Sequence, residues 1–279
     1  MSDDQERGSQ APEAAGGCFS ERPYRLVEVE QEGPVATLRM NLPERKNPLG
    51  PAMVNELLWA LEDAKEAASV RVIVLTGAGK AFSAGGDLKQ MSGGTDGPSL
   101  PSKGDYVDLL ESFAGLGKPV IARIPGYAMG GGLGLVAACH FAVASSDAIL
   151  GTPEIKRGLF PMMIMAVLQR IMPRRALLRM MLLGEKLSAA EALEHGILSH
   201  VVEPDALDAK VRELSEALAA NSPTATRMGL RAFHAQADLP LAEALPMLRD
   251  QLFAILGTED AREGLMAFLE KREPRWTGR

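Results

Sequence analysis

The segment that most constrains the fold is residues 118–134, KPVIARIPGYAMGGGLG. It opens with an apolar, β-branched run between two prolines, which predicts a short buried strand. Three consecutive glycines follow, Gly130, Gly131 and Gly132, and the pattern then becomes helical and apolar. Glycines placed there let the backbone approach a ligand where helix N–H groups lack partners. Such donors can hold a phosphate, a carboxylate or a transient oxyanion, although the same glycines would also permit tight helix–sheet packing.

Composition excludes several classes of protein. A chain of 279 residues, 46% of them hydrophobic, can bury one large core, with or without an appendage. The net charge of −6 gives no basic field for nucleic acid. Cys18 and Cys139 lie in very different contexts, so a structural disulfide is not expected. With no apolar run of membrane-spanning length and no basic, apolar signal at the N-terminus, we expect a soluble cytoplasmic protein without a membrane partner.

The order of patterns along the chain predicts an α/β protein in three parts. Residues 1–22 are polar and small, which predicts a disordered tail. Residues 23–205 form the predicted α/β core, because strand and helix patterns alternate there and favour parallel strands. Residues 206–279 are predicted to be helical, packing on their own core or on a neighbouring subunit. Residues 92–104, SGGTDGPSLPSKG, have the composition of a mobile surface loop or lid.

Two glycine-bearing loops each follow a predicted buried strand. They are residues 82–87, FSAGGD, and residues 130–132. Both therefore lie at carboxyl ends of strands, where α/β proteins bind ligands. Neither is a phosphate-binding P-loop, because no Gly-Lys-Ser/Thr follows, and the first lacks the spacing of a dinucleotide-binding loop.

Five segments together resemble the crotonase, or enoyl-CoA hydratase/isomerase, family. They are NLPERKNPLG, VIVLTGAGKAFSAGGDL, KPVIARIPGYAMGGGLGL, TPEIKRGL and EDAREGLMAFLEKR. The resemblance implies a spiral ββα core with a helical C-terminal trimerisation region, assembled as a homotrimer or a dimer of trimers. It also implies an acyl-CoA thioester substrate, with CoA as part of the substrate, no separate cofactor and no metal. Apolar positions such as Leu177, Leu178, Met181 and Leu182 agree with burial between subunits.

The resemblance also implies the reacting groups. The backbone N–H groups of Gly86 and Gly131 would hold the thioester oxygen, on which enolate charge develops. Glu154, in Thr-Pro-Glu-Ile, would be the acid/base, with a pKa raised by a methionine-rich, apolar wall. Where many hydratases carry a first catalytic glutamate this chain has Gly134, as in bacterial methylglutaconyl-CoA hydratases. We expect Gly134→Glu to place a second carboxylate opposite Glu154.

The CoA portion is assigned by the same resemblance. Lys46 lies in the loop near the nucleotide phosphates, and the backbones of Ala84 and Leu88 meet the adenine. Phe268 and Lys271 match C-terminal residues that complete a neighbour's CoA site in some members.

Three functions remain open at this stage. Hydration of a 2-enoyl-CoA is ranked first, since one glutamate can take a proton from water and return it to carbon. Δ3-to-Δ2 enoyl-CoA isomerisation also needs only one carboxylate. The third function is acyl-CoA binding without turnover, or an interaction role such as RNA binding, which the acidic composition disfavours.

Overall fold

The computed structural model describes residues 19–87, 89 and 100–279. The strands are β1 Val27–Glu32, β2 Val35–Met40, β3 Val72–Gly77, β4 Ala81–Ser83, β5 Val120–Ile124, β6 Tyr127–Met129, β7 Phe141–Ser145, β8 Ile149–Gly151, β9 Lys186–Ser188 and β10 His200–Val202. The α-helices are α1 Pro51–Glu66, α2 Tyr106–Gly115, α3 Gly131–Ala138, α4 Met162–Leu168, α5 Arg174–Leu183, α6 Ala189–Glu194, α7 Leu207–Ala219, α8 Pro223–Gln236, α9 Leu241–Leu256 and α10 Glu259–Glu270. Short 3₁₀ helices cover Pro43–Arg45, Pro153–Arg157 and Pro204–Ala206.

The strands form two sheets, which alternate in chain order from β3 to β8. The larger has the order β1-β2-β3-β5-β7-β10, and the smaller has the order β4-β6-β8-β9. The β1–β2 and β8–β9 pairs are antiparallel, and the other pairings are parallel. The chain visits the two sheets alternately, from β3 to β4, β5 to β6 and β7 to β8, with helices between successive pairs. This is the spiral α/β arrangement that the family resemblance implied, and it brings the ends of β4, β6 and β8 together.

The larger sheet is covered on both faces. Its strands read as continuous apolar runs, as expected for parallel strands buried on two sides. On one face they pack in the main core with α1 and α3. On the other face Leu207 and Val211 of α7 pack against Val72, Val74 and Ile121. The first helix of the predicted C-terminal region therefore packs on the sheet itself.

The folded part begins before residue 23. Ser20 and Arg22, both inside the predicted tail, hydrogen-bond to the Asp63 carboxylate near the end of α1. The Arg22 guanidinium also lies 3.9 Å from the centre of the Trp59 ring. Residues 19–22 are thus ordered on the core, whereas residues 1–18 of the predicted tail lie outside the described residues.

The predicted lid is described only at its end. Residues 92–99 lie outside the described residues, but residues 100–104 are anchored on α1. Asn55 donates to the carbonyl of Pro101 at 3.1 Å and accepts from the Lys103 N–H at 2.7 Å. Trp59 Nε1 also donates to the Pro101 carbonyl, at 2.9 Å. This end of the segment is therefore fixed, contrary to the prediction of mobility across the whole of it.

The apolar residues predicted to lie between subunits divide into two groups. Leu177 and Met181 of α5 are buried in the chain's own core, so the prediction was wrong for them. Leu178 and Leu182 are exposed. A larger exposed apolar surface lies on α8–α10, and we call it the C-terminal apolar face: Phe233, Leu241, Leu245, Leu252, Phe253, Leu256, Leu265, Met266, Phe268 and Leu269.

Candidate active site

The two glycine loops predicted from the sequence lie against each other. The first follows β4 and the second follows β6, and these strands are parallel neighbours in the smaller sheet. A Cβ built on Gly85 would lie 3.4 Å from the backbone nitrogen of Gly131. The pairing of adjacent parallel strands therefore places two loops in one site, although Gly86 and Gly131 are 45 residues apart in sequence.

Both predicted thioester donors have free backbone N–H groups. In the segment that holds Gly86, Leu49 N donates to Gly85 O at 2.8 Å and Asp87 N donates to Leu49 O at 3.3 Å. Gly131 is the first residue of α3, so its N–H has no acceptor within the helix. No hydrogen bond between residues that the structure describes uses either N–H. Both N–H groups can therefore donate to a ligand.

Glu154 reaches this site from the end of β8. Gly130 N donates to Gly151 O at 2.9 Å, which joins the glycine loop to the turn that carries Glu154. Gly130 has a φ of +50°, and a Cβ built on it would lie 2.6 Å from Glu154 Oε1. Glycine is therefore required at 130 both for its backbone angle and for the approach of the carboxylate.

The Glu154 carboxylate is partly buried. Its Oε2 is buried and has no hydrogen-bond partner within residues 19–87, 89 and 100–279. Burial raises the pKa of Glu154 above the ordinary glutamate value, opposed by its own backbone N–H and by Arg157. A desolvated carboxylate with a raised pKa is a stronger base than an exposed one.

The wall beside Glu154 differs from the prediction. Met162 and Met163 are exposed, so they do not form the expected methionine lining. Ile164 is buried and packs against Gly134, with Met165 partly buried on the main core. The apolar surroundings of the site therefore depend on Ile164 and not on the first two methionines of α4.

Tyr106 is a site residue that the sequence analysis missed. Asp105 caps α2 by accepting the Val107 N–H at 2.7 Å, which makes Tyr106 the first residue of that helix. The Tyr106 hydroxyl donates to the carbonyl oxygen of Gly131 at 2.5 Å. The pKa of Tyr106 is raised by burial and by the nearby Glu154 charge. Its only sequence signal was an aromatic residue directly after a capping aspartate.

The space at Gly134 is filled. A Cβ built on Gly134 would overlap both the Tyr106 hydroxyl and Ile164 Cγ2, far inside ordinary contact distance. A side chain at position 134 therefore requires Tyr106 and Ile164 to move, which the expectation for Gly134→Glu did not include. Of the two positions, only position 154 carries a carboxylate in this chain.

The predicted CoA loop contains two basic side chains: Arg45 forms an ion pair within the chain, and Lys46 is exposed. Arg45 makes an ion pair at 2.7 Å with the buried Asp87, so its charge is already compensated. Lys46 is exposed, with Nζ 5.2 Å from the centre of the Tyr127 ring. Ala84 N donates to Lys46 O at 2.8 Å, which places these two predicted residues side by side. Leu88 lies outside the described residues.

Phe268 and Lys271 lie at the end of α10, which packs against α8 and α9. Asp260 fixes the start of α10 by accepting hydrogen bonds from Ser222, at the start of α8, and from Thr277 N–H. Phe268 is 81% exposed in the single chain. No hydrogen bond or ion pair among the described residues connects Phe268 or Lys271 to the glycine loops.

His140 has a structural environment. Its Nδ1 accepts the Val120 N–H at 3.0 Å, and its Nε2 lies 3.4 Å from Nε2 of His234 on α8. Burial, together with the neighbouring His234, lowers the pKa of His140 to about 4. A histidine committed in this way is neutral and is not available as a base at the glycine loops.

Comparison with known families agrees with this geometry. Residues 30–279 match the family model described as enoyl-CoA hydratase/isomerase. The chain belongs to the enoyl-CoA hydratase/isomerase family. It is therefore an enzyme of the crotonase type, and its fold class is confirmed. Within the part of the chain that the structure describes, no helix combines the length and hydropathy needed to cross a bilayer.

Individual members of the enoyl-CoA hydratase/isomerase family match along nearly their whole length. The (E)-benzylidenesuccinyl-CoA hydratase of Thauera aromatica is 35% identical over 255 residues, covering 90% of this chain and 99% of that protein. The mitochondrial enoyl-CoA hydratase domain-containing protein 3 of Mus musculus is 30% identical, covering 96% and 89%. The crystal structure of enoyl-CoA hydratase from Mycobacterium smegmatis superposes with a TM-score of 0.84 at 34% identity, covering 90% and 99%.

Proposed function

We propose that this enzyme hydrates a 2-enoyl-CoA thioester reversibly, with Glu154 as its single acid/base. The observation that carries the proposal is the approach of the Glu154 carboxylate to the glycine loop, with Oε2 buried and lacking a partner among the described residues. Gly86 and Gly131 N–H groups hold the thioester oxygen. A preorganised donor of this kind lowers a reaction barrier by roughly 3–4 kcal/mol.

The proposed reaction balances with one carboxylate. Glu154 takes a proton from water while the water oxygen bonds to the β-carbon of the conjugated thioester. The electron pair of the double bond moves onto the thioester oxygen, where the two N–H groups stabilise the enolate. The protonated Glu154 then gives that proton to the α-carbon, which restores the carboxylate and completes the addition of water.

Isomerisation is the second candidate, because glycine at position 134 leaves the site with one acid/base carboxylate. Glu154 would then remove an α-proton from a 3-enoyl-CoA and return it at the γ-carbon through the same enolate. Binding without turnover is disfavoured, since partial burial of a carboxylate whose Oε2 lacks a partner among the described residues opposes folding, and a passive binding role would not offset that cost.

Absorbance at the enoyl-thioester band distinguishes these candidates. Crotonyl-CoA mixed with the enzyme should lose this absorbance as water adds to the conjugated double bond. A 3-enoyl-CoA of equal length should gain it only if the enzyme isomerises. No change with a panel of enoyl-CoA thioesters in either direction would contradict both catalytic proposals and leave binding alone.

For the CoA moiety we propose contacts from Lys46, Ala84 and Leu88 of one subunit. Phe268 and Lys271 would complete the site of a neighbouring subunit. The exposure of Lys46, the hydrogen bond from Ala84 N to Lys46 O and the exposure of Phe268 support this division.

We further infer a homotrimer or a dimer of trimers. The C-terminal apolar face exposes large side chains, among them Phe253 and Leu245, which would be costly to leave in water. Light scattering should give three or six times the chain mass of 29.8 kDa. Phe253→Asp should shift the mass towards the monomer, whereas Leu193→Asp, an equivalent change at an exposed leucine of α6, should not. A monomer for the unaltered chain at micromolar concentration would contradict the inference.

A further inference from the structure

Tyr106 provides a polar atom where the family's first glutamate would begin. Its hydroxyl occupies the space of a side chain at Gly134, next to Ile164. The ring lies close to the start of α3, since a Cβ on Gly131 would lie 3.5 Å from both Cζ and the hydroxyl oxygen. The Glu154 charge acts on the same phenol. Glu154 Oε1 therefore approaches Gly130 and Tyr106 Oη approaches Gly131, so both side chains reach the same glycine loop.

The hydrogen bond that the Tyr106 hydroxyl already makes determines whether it can donate or accept within the site. A tyrosine hydroxyl has one proton to donate and lone pairs that accept. The Tyr106 proton is donated to Gly131 O at 2.5 Å, so towards the site the oxygen can only accept. Burial and the Glu154 charge keep the phenol protonated at neutral pH, which excludes it as a base.

We propose that Tyr106 is a positioning residue that accepts a hydrogen bond from the water molecule deprotonated by Glu154. This inference rests on the proposed hydratase function. The water donates one proton to Glu154 and the other to Tyr106 Oη, which leaves an oxygen lone pair for the β-carbon of the substrate. No additional proton transfer is required, because Tyr106 keeps its own proton throughout. The chain thereby holds its water with one carboxylate and one neutral acceptor.

The test compares two reactions that share Glu154 and the thioester donors but differ in their need for water. Crotonyl-CoA hydration uses a positioned nucleophilic water. Exchange of the α-protons of butyryl-CoA in D₂O uses the base and the enolate only. Tyr106→Phe should lower kcat for hydration by about 10²-fold, with KM nearly unchanged, and leave α-proton exchange within about twofold of the unaltered enzyme.

Tyr24→Phe is the matched control. It removes another partly buried phenol hydroxyl, bonded to Asp63 at 2.8 Å near the end of α1, and should leave the ratio of hydration to exchange unchanged. If Tyr106→Phe folds poorly, judged by its melting temperature, Tyr106→Leu lacks the same acceptor and should show the same selective loss.

Each outcome has a definite meaning. Selective loss of hydration supports the positioning role. Hydration at the original rate, or parallel loss of hydration and exchange in a folded variant, would overturn it, because the hydroxyl would then only brace Gly131. An unaltered enzyme that exchanges α-protons but hydrates none of the enoyl-CoA thioesters would instead overturn the proposed function, and the water-positioning role with it.

Discussion

Replacing Glu154 by glutamine should lower kcat for enoyl-CoA turnover by about 10²–10⁴-fold, the usual contribution of a positioned general base. The amide preserves the size of the side chain but cannot accept a proton from water. Affinity for the thioester should change little, because Gly86 and Gly131 keep their free N–H groups. Steady-state rates and binding of a saturated acyl-CoA measure the two effects separately, with Glu213→Gln on the exposed face of α7 as a matched control.

The pH dependence gives the same prediction a second test. Glu154 must be ionised to act as a base, and burial raises its pKa. Activity should therefore fall on acidification at a higher pH than an ordinary glutamate would give. Because the folded-state pKa is raised, the stability linked to the protonated carboxyl is present at low pH and is lost as pH rises through that pKa.

Glu154→Gln should accordingly melt at a higher temperature than the unaltered enzyme at neutral pH, and the difference should shrink on acidification. A loss of turnover without a loss of stability separates a chemical role from a folding defect. Wild-type turnover by Glu154→Gln on every substrate of the parent would remove Glu154 from the mechanism. Asp87 and His140 are poor substitutes, since the structure commits them to Arg45 and to the Val120 N–H.

Gly134→Glu should reduce both activity and stability. Even the first side-chain atom would overlap Tyr106 and Ile164, and overpacking of a core costs about 1–3 kcal/mol. The carboxylate would add the penalty of a buried charge beside Glu154. We expect the activation barrier to rise by more than roughly 1.4 kcal/mol, which lowers turnover at least about tenfold. The melting temperature should fall as well.

A series at the same position identifies the cause. Gly134→Ala adds the overlap without the charge, so it should lose part of the stability that Gly134→Glu loses. Ile164→Ala removes one of the two overlapping groups, and combining it with Gly134→Ala should recover some stability relative to the sum of the single changes. Higher hydratase activity in Gly134→Glu would show that Tyr106 and Ile164 move aside, contrary to the packing described here.

From the sequence alone, local patterns predicted an α/β core and the two glycine loops: apolar runs predict buried strands, and glycines mark the turns that follow them. The family and the spiral arrangement came from the resemblance of five segments to a known family. The rule that ligands bind at the carboxyl ends of parallel strands then predicted one site from two loops, and their contact through Gly85 and Gly131 agrees. Glu154 was predicted by resemblance at a position that the structure places beside Gly130.

Only the tertiary structure decided what surrounds Glu154. Whether Gly134 has free space depends on Tyr106 and Ile164, which come from helices far away in sequence, and no local pattern encodes that distance. The same holds for Arg45, whose charge is compensated by a buried aspartate 42 residues away. Amphipathic patterns predict which residues are buried but not which residues they pack against. This is why Leu177, expected between subunits, lies in the chain's own core, and why the face left for a neighbour lies on α8–α10.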